Sequence, residues 1–139
     1  MALATVSDVQ LVELPRHERS DGELVVVEQG KSIAYPAVRT FSVTARKGAV
    51  RGRHAHRRCS QFFVCVHGAI EVECDDGTSS RKVTLDDTSK GLLVPPTIWA
   101  TETYLTEGSV LLVLCDRPYE QDDYVREYEE FVAWRRSHG

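Results

Sequence analysis

Two histidines, His54 and His56, are the residues of this chain best suited to moving protons. A single residue separates them, so on a β-strand both side chains project from the same face. An imidazole titrates near neutral pH and can therefore accept or donate a proton there. Gln61 follows closely and adds an amide that can hydrogen-bond to a ligand. The pattern predicts a site where one carbon loses a proton and its neighbour gains one.

Basic side chains surround the histidine pair. Residues 46–58 contain no acidic residue and six basic ones, which are Arg46, Lys47, Arg51, Arg53, Arg57 and Arg58. A guanidinium group binds phosphate through paired hydrogen bonds. Because the net charge of the whole chain is −4, the basic cluster is local and favours a small phosphorylated ligand over a nucleic acid. The alternative interpretation is a solvated strand end without a ligand.

The elements that must position these residues are mostly strands. The length of 139 residues predicts one domain, residues 1–139. Runs of apolar and β-branched residues predict strands at 24–28, 38–44, 61–67, 69–74, 92–94 and 110–115. Many short strands indicate an all-β sandwich or barrel. From Asp122 onward the apolar residues recur at helical spacing, which predicts a C-terminal α-helix at about 122–136 with Asp122 as its cap.

The chain carries no sign of a membrane or secreted protein. No apolar run approaches the roughly 20 residues that span a bilayer, and the N-terminus lacks the features of a signal peptide. The four cysteines stand at 59, 65, 74 and 115 and include no Cys-x-x-Cys pair. We therefore expect a cytoplasmic protein whose cysteines are reduced and buried.

The spacing of Gly48, His54, His56, Gln61 and Gly68 resembles the first motif of the cupins. That motif implies a β-barrel with a site in its interior. Metal-binding cupins usually hold the ion with three histidines and one glutamate, and the glutamate stands where this chain has Gln61.

The second cupin motif falls at 91–103 and lacks the usual third histidine. Either plausible alignment puts Ala100 or Thr101 at that position, and Glu102 is an unusual replacement ligand. Two histidines and a neutral amide make a poor site for a divalent cation. The sequence therefore predicts no metal.

The run Arg51-Gly-Arg-His-Ala-His-Arg resembles the Arg-Gly-x-His-Ala-His-Lys signature of the nucleotide-sugar 3,4-ketoisomerases, the WxcM-like cupins. Further matching motifs follow in order: Asp21-Gly22-x-Leu24 with Glu28, Arg39, Gln61, Gly68, Asp75-Asp76-Gly77, Gly91-Leu92, Pro95-Pro96 with Trp99, Val110 to Leu114, and Tyr119 through Tyr124-Val-Arg-x-Tyr128-x-x-Phe131. The resemblance implies a cupin double-stranded β-helix (jelly roll) with a C-terminal α-helix. It also implies a homodimer that exchanges N-terminal strands.

The same resemblance implies a reaction. A dTDP-linked 4-keto-6-deoxyhexose has its ketone moved from carbon 4 to carbon 3 through an enediol, with no metal or redox cofactor, on the way to an amino-deoxysugar. By motif match His54 is the main base and His56 its partner. The implied substrate-binding residues are Arg39, Arg51, Arg53, Gln61 and Tyr124.

Two departures from the family pattern concern stereochemistry. Many members carry a histidine where this chain has Ala100, and a tyrosine pair where it has Phe41 and Ser42. Neither departure touches the histidine pair, so the reaction type is expected to survive better than the configuration at carbon 4. The resemblance does not fix the sugar or the pathway.

Three alternatives stay open. A sugar-nucleotide epimerase on a similar barrel would need a tyrosine proton donor such as Tyr119 or Tyr124. A non-catalytic cupin would bind a sugar nucleotide without turnover. A metal-dependent oxygenase is disfavoured by Gln61 and Ala100.

Overall fold

The structure, a computed structural model, describes residues 3–139 and consists mainly of β-strands. Its elements are β1 (Gln10–Glu13), β2 (Arg16–Arg19), β3 (Gly22–Val25), β4 (Arg39–Thr44), β5 (Val50–His56), β6 (Gln61–His67), β7 (Ile70–Asp75), β8 (Ser80–Leu85), β9 (Lys90–Val94), β10 (Trp99–Tyr104), β11 (Val110–Cys115), β12 (Tyr124–Val125) and α1 (Tyr128–His138). Residues 1 and 2 of the predicted domain lie outside the described residues. Within residues 3–139 no helix has the length and apolar character needed to cross a membrane.

Two five-stranded antiparallel sheets form a barrel. The first has the strand order β1-β9-β6-β11-β4 and the second has the order β12-β5-β10-β7-β8. Inward-facing side chains of both sheets share one buried core, which includes Phe63 and Leu111 of the first sheet and Ile70 and Val72 of the second. This is the double-stranded β-helix of the cupins, so the predicted all-β fold is confirmed.

Several strands lie where the residue pattern predicts them. Strands β6 and β11 have the predicted bounds, because each contains an apolar run that lies in the middle of the first sheet. The strand predicted at 24–28 is instead β3, which ends at Val25. The Val26 amide still donates to the carbonyl of Pro15, but Pro15 has no N–H to return the bond, so the β2–β3 ladder stops there.

The C-terminal helix exists, but its predicted start at residue 122 is wrong. Tyr124 and Val125 form β12 and pair with His56 and Ala55 of β5, so this stretch is extended. Helix α1 begins at Tyr128 and runs to His138. The side chain of Asp122 does not cap a helix, because it accepts a hydrogen bond from Arg58.

The helix packs across the outside of the second sheet. Its Phe131 is fully buried and belongs to a small cluster with Ala55, Trp99 and Val125. The ring of Trp99 lies 5.7 Å from that of Phe131, centroid to centroid. This packing holds β12 against the strand that carries both histidines.

The first sheet has a second apolar face, which points away from the barrel interior. Strand β1 pairs with β9 of the same chain. The exchange of N-terminal strands between two chains stays a prediction. The buried residues of this face are Leu14, Ile33, Phe62 and Val64. All four cysteines are free and buried, as predicted.

Candidate active site

The two histidines lie on β5, next to a bulge. His54 is opposite Ala100 on β10 and Gly52 is opposite Thr101, so Arg53 is the extra residue on this strand. The bulge needs a left-handed backbone, with φ of 79° at Gly52 and 58° at Arg53. A Cβ at Gly52 would also collide with the carboxylate of Glu102. Glycine is therefore required here by both conformation and space.

The imidazole of His54 is a neutral base. Its Nδ1 is 3.1 Å from the Gly52 carbonyl oxygen, which can only accept, so Nδ1 carries the proton. Burial, together with the charge that His56 can carry, lowers the pKa of His54 to about 4. At neutral pH the Nε2 of His54 therefore keeps its lone pair.

His56 is held by an aspartate that the sequence patterns did not single out. Its Nδ1 donates to Asp123 Oδ2 over 2.8 Å, and both side chains are buried. Burial lowers the pKa of His56, which keeps the ring neutral at pH 7. Burial also raises the pKa of Asp123, but hydrogen bonds from His56 and the Arg58 amide outweigh it and lower that pKa. The pair is thus a neutral imidazole donating to an ionised carboxylate.

Three aromatic rings meet at this point. The ring centroids of His54 and His56 are 5.1 Å apart, and the planes are nearly perpendicular. The Tyr124 ring lies 5.1 Å from His54 and 4.4 Å from His56. The guanidinium of Arg126 lies over Tyr124, 4.3 Å from its ring centroid. Strand β12 therefore forms one wall of the site.

A cavity of about 160 Å³ opens inside the barrel beside His54. Its lining consists of Phe41, Val43, Arg51, Gly52, His54, Gln61, Phe63, Glu102, Tyr104, Leu111, Val113 and Tyr124. Pockets that hold a whole ligand usually measure about 300–1,000 Å³. The cavity is therefore suited to one ring of a larger ligand, with the remainder outside.

The structure brings most of the predicted site residues together. Arg51, Gln61 and Tyr124 line the cavity with His54, and His56 lies directly against His54 and Tyr124. Arg39 and Arg53 lie outside the cavity lining.

Arg39 lies at the edge of the site, on β4. Its guanidinium carbon is 5.6 Å from the ring centroids of both Phe41 and Tyr119. Arg39 Nη2 donates to the sulfur of Cys115 over 3.6 Å, and Gln61 Nε2 donates to the same sulfur over 3.8 Å. The Cys59 thiol, Arg39 and Gln61 together lower the pKa of Cys115. Cys115 thus anchors two predicted ligand-binding side chains.

The other basic residues of segment 46–58 do not converge on the cavity. Arg53 is exposed at the bulge and is absent from the cavity lining. Arg57 donates to the carbonyls of Asp122 and Tyr124, and Arg58 pairs with the Asp122 carboxylate. Arg57 and Arg58 therefore fasten β12 to the barrel.

The far side of the cavity holds polar atoms that lack partners. Glu102 is 8% exposed, and its Oε2 is buried without a hydrogen-bond partner in the part of the chain that the structure describes. The hydroxyl of Tyr104 is also buried without a hydrogen-bond partner among the described residues. Burial raises the pKa of Glu102 to about 8, although Arg51 opposes the rise. The carboxyl is therefore mostly neutral at pH 7.

The sequence patterns missed Asp123 and Arg126. Both fall in the segment that was interpreted as the first turns of a helix, where acidic and basic residues are usually solvated. Nothing in the run Asp122-Asp123-Tyr124 indicates that the Asp123 carboxylate is buried. Only the pairing of β12 with β5 brings its carboxylate to His56.

The donors in the cavity do not fit the cupin metal set. The cavity offers the His54 imidazole, the neutral amide of Gln61 and the mostly neutral carboxyl of Glu102, where three histidines and an ionised glutamate would be needed. His56, Cys59 and Asp123 place one ligand atom each within 4.8 Å of one another. However, the His56 and Asp123 atoms already hydrogen-bond to each other. The absence of a metal from the active protein stays a prediction.

Comparisons with known proteins identify the family. The family model described as FdtA: WxcM-like, C-terminal, matches residues 7–136. A TDP-4-oxo-6-deoxy-α-D-glucose-3,4-oxoisomerase from Aneurinibacillus thermoaerophilus is 35% identical over 116 residues, which cover 83% of this chain and 84% of that protein.

Two solved structures are similar over nearly the whole chain. QdtA, a sugar 3,4-ketoisomerase from Thermoanaerobacterium thermosaccharolyticum solved in complex with TDP, has a TM-score of 0.91 at 27% identity, covering 96% of this chain and 98% of that one. A 3,4-ketoisomerase from Helicobacter canadensis has a TM-score of 0.89 at 25% identity, covering 93% of this chain and 98% of that one.

Proposed function

Because this chain belongs to the WxcM-like, C-terminal family of FdtA, we propose that it is a sugar-nucleotide 3,4-ketoisomerase. The substrate is a TDP-linked 4-keto-6-deoxyhexose. The enzyme moves the ketone from carbon 4 to carbon 3 through an enediol, as one step toward an amino-deoxysugar. No metal or redox cofactor takes part in the proposed reaction.

The observation that carries the proposal is the neutral His54 imidazole at the wall of a ring-sized cavity. The ketone at carbon 4 acidifies the hydrogen on carbon 3, and Nε2 of His54 removes it. The low pKa of free His54 does not prevent this step, because the negative charge that develops as the carbon 3 hydrogen leaves stabilises the imidazolium. The same imidazolium then returns the proton to carbon 4.

His56 and Asp123 position the base. Asp123 fixes the His56 tautomer and leaves its Nε2 without a proton, beside the ring of His54. A neutral neighbour adds no positive charge when His54 becomes protonated. His56 therefore favours the protonated state of His54 more than a charged imidazole would.

Cations at the mouth would hold the charged part of the substrate. We assign diphosphate binding or polarisation of the ketone to Arg39 and Arg51, since paired hydrogen bonds suit both tasks. Gln61 donates to a sugar oxygen, and Tyr124 presents its ring to the nucleotide sugar. Arg53 is exposed, which supports at most a contact with the outer part of the ligand.

We also propose that the protein is a homodimer and is located in the cytoplasm. The outer face of the first sheet supports dimerisation, because a groove there is lined by Val25, Val27, Val64, Val66 and Leu112. Exchange of N-terminal strands would cover this apolar groove. Sedimentation equilibrium of the wild type tests the oligomeric state.

The decisive experiment supplies the TDP-linked 4-keto-6-deoxyglucose with a 3-aminotransferase and identifies the amino sugar. An amino group at carbon 3 supports the proposal. An inverted centre with the ketone still at carbon 4 would indicate an epimerase. Tight binding with no exchange of the carbon 3 hydrogen in deuterated water would indicate a non-catalytic sugar-nucleotide-binding protein.

A further inference from the structure

Moving a ketone along a sugar requires two proton transfers, and His54 accounts for only one. The hydrogen on carbon 3 must move to carbon 4. In addition, the hydroxyl on carbon 3 must lose its proton while the oxygen on carbon 4 gains one. A group that both donates and accepts, facing two neighbouring oxygens, is suited to this second transfer.

Glu102 has the location for that task. It lies on β10 opposite Arg51 of β5, and its carboxylate packs against Gly52, two residues before His54. It lines the same cavity as His54. Its Oε2 is buried with no hydrogen-bond partner among residues 3–139. An unpaired buried carboxyl oxygen is costly, so a ligand that supplies a partner gains binding energy there.

The chemistry of the surroundings keeps Glu102 in its acid form. The titratable groups around the carboxyl are Arg51 and His54 of β5, Cys74 of β7, and Tyr104 of β10 itself, with Tyr124 across the cavity. Burial raises the pKa of both Cys74 and Tyr104 to about 12, so both stay neutral near pH 8. Arg51 is the cation opposite, and it is exposed to solvent.

We propose that Glu102 is a second catalytic residue, which exchanges protons with the two substrate oxygens. The Glu102 carboxylic acid donates its proton to the oxygen on carbon 4 while His54 takes the hydrogen from carbon 3, giving the enediol. His54 then returns its proton to carbon 4, and the Glu102 carboxylate takes the hydroxyl proton from the oxygen on carbon 3. Both side chains end in their starting protonation states.

This role rests on the proposed function. It also explains where the negative charge lies while the substrate is an enediol. The intermediate stage holds an imidazolium and a carboxylate on two sides of a neutral enediol. The two charges share one water-poor cavity, so each stabilises the other. Without Glu102 the enediolate oxygen would keep its full negative charge next to Tyr104 and the exposed Arg51.

The test is the variant Glu102→Gln, which keeps the shape and hydrogen bonding of the side chain but cannot transfer a proton. We expect kcat to fall about 100-fold, with KM and the affinity for TDP within about threefold of wild type. The wild-type rate should fall above about pH 8 as the acid ionises, and the variant should lack this fall. The matched control is Glu71→Gln on β7, outside the cavity, which should keep wild-type kinetics.

Two results would overturn the role of Glu102. One is a folded Glu102→Gln variant within threefold of the wild-type kcat. The other, which needs no variant, is a wild-type kcat that stays level from pH 7 to pH 10. Wild type that converts no TDP-linked 4-keto sugar at any pH would instead overturn the proposed function, and the role of Glu102 with it.

Discussion

The two ends of the cavity bury polar groups in different ways. At the β12 end, His56 donates to Asp123, and Asp123 also accepts from the Arg58 amide. At the β10 end, Glu102 Oε2 and the Tyr104 hydroxyl have no hydrogen-bond partner in the described part of the chain. At the β12 end the carboxylate has its hydrogen-bond donors, although His56 Nε2 is buried without a partner among the described residues; at the β10 end the carboxyl oxygen itself is left free for a ligand.

The difference shows how one barrel keeps a base and an acid at the same pH. Burial disfavours the charged form of every titratable group. Asp123 stays ionised because two donors compensate for its burial, whereas Glu102 lacks them and stays protonated. His54, between the two ends, stays neutral. Pairs of groups whose pKa values are pushed apart are typical of acid–base sites.

The largest expected effect comes from removing the base. His54→Asn keeps a polar side chain of similar size but cannot accept the carbon 3 hydrogen. We expect kcat to fall at least about 1,000-fold, while TDP binding measured by calorimetry stays nearly unchanged. A His54→Asn variant with the wild-type rate would show that His54 is not the base.

The unpartnered end can be examined through stability. Because the pKa of folded Glu102 is raised from 4.5 to about 8, its contribution to stability is present below pH 4.5 and is lost as the pH rises to 8. Glu102→Gln removes this loss. We expect the free energy of unfolding of the variant, relative to that of the wild type, to increase by about 3 kcal/mol between pH 5 and pH 8. Urea titrations at the two pH values measure this difference. An advantage that does not change with pH would mean that Glu102 is already ionised at pH 5.

The paired end should be sensitive to the tautomer of His56. Asp123→Asn can donate instead of accept, which favours the wrong tautomer. We expect kcat to fall about 30-fold and the acidic limb of the pH–rate profile to shift, with TDP affinity retained. The matched control is the exposed neighbour, Asp122→Asn, which should keep the wild-type rate. Equal losses in both variants would assign the effect to the attachment of β12 instead.

We expect the smallest effect from removing a hydrogen bond to a carboxylate that lies outside the cavity. The Tyr128 hydroxyl donates to Asp75 at the protein surface, 3.1 Å from each oxygen. Tyr128→Phe should cost less than about 1 kcal/mol in thermal unfolding and leave kcat unchanged, because exposed polar contacts contribute little. A loss above about 2 kcal/mol would mean that this contact, and not Phe131, holds α1 in place.

The sequence patterns predicted the part of the fold that burial dictates. Strand β11 is apolar throughout and β6 is apolar between Gln61 and His67, and the residue pattern predicts both with their observed bounds. Strand β2, Arg-His-Glu-Arg, is exposed along its whole length and carries no hydrophobic alternation, so no pattern indicated it. The same limit applies to β12, a strand of two residues whose apolar spacing also matches a helix.

The site was predictable where it follows from one strand. The alternation of β5 places His54 and His56 together, and the cupin-like spacing places Gln61 beside them. Asp123 and Glu102 enter through pairing with β5, which is a contact between residues far apart in the chain. Their protonation states depend on burial and on missing partners, and these properties are set only when the barrel closes.

The central claim is that a proton moves from carbon 3 to carbon 4 of a TDP-linked 4-keto-6-deoxyhexose while the ketone moves from carbon 4 to carbon 3. The direct test follows the wild type and this substrate by carbon-13 and proton NMR in deuterated water. The account predicts a carbonyl signal at carbon 3, a hydroxyl-bearing carbon 4, and no such product with His54→Asn. A carbonyl that stays at carbon 4 in the presence of wild type, with or without an inverted neighbour, would contradict it.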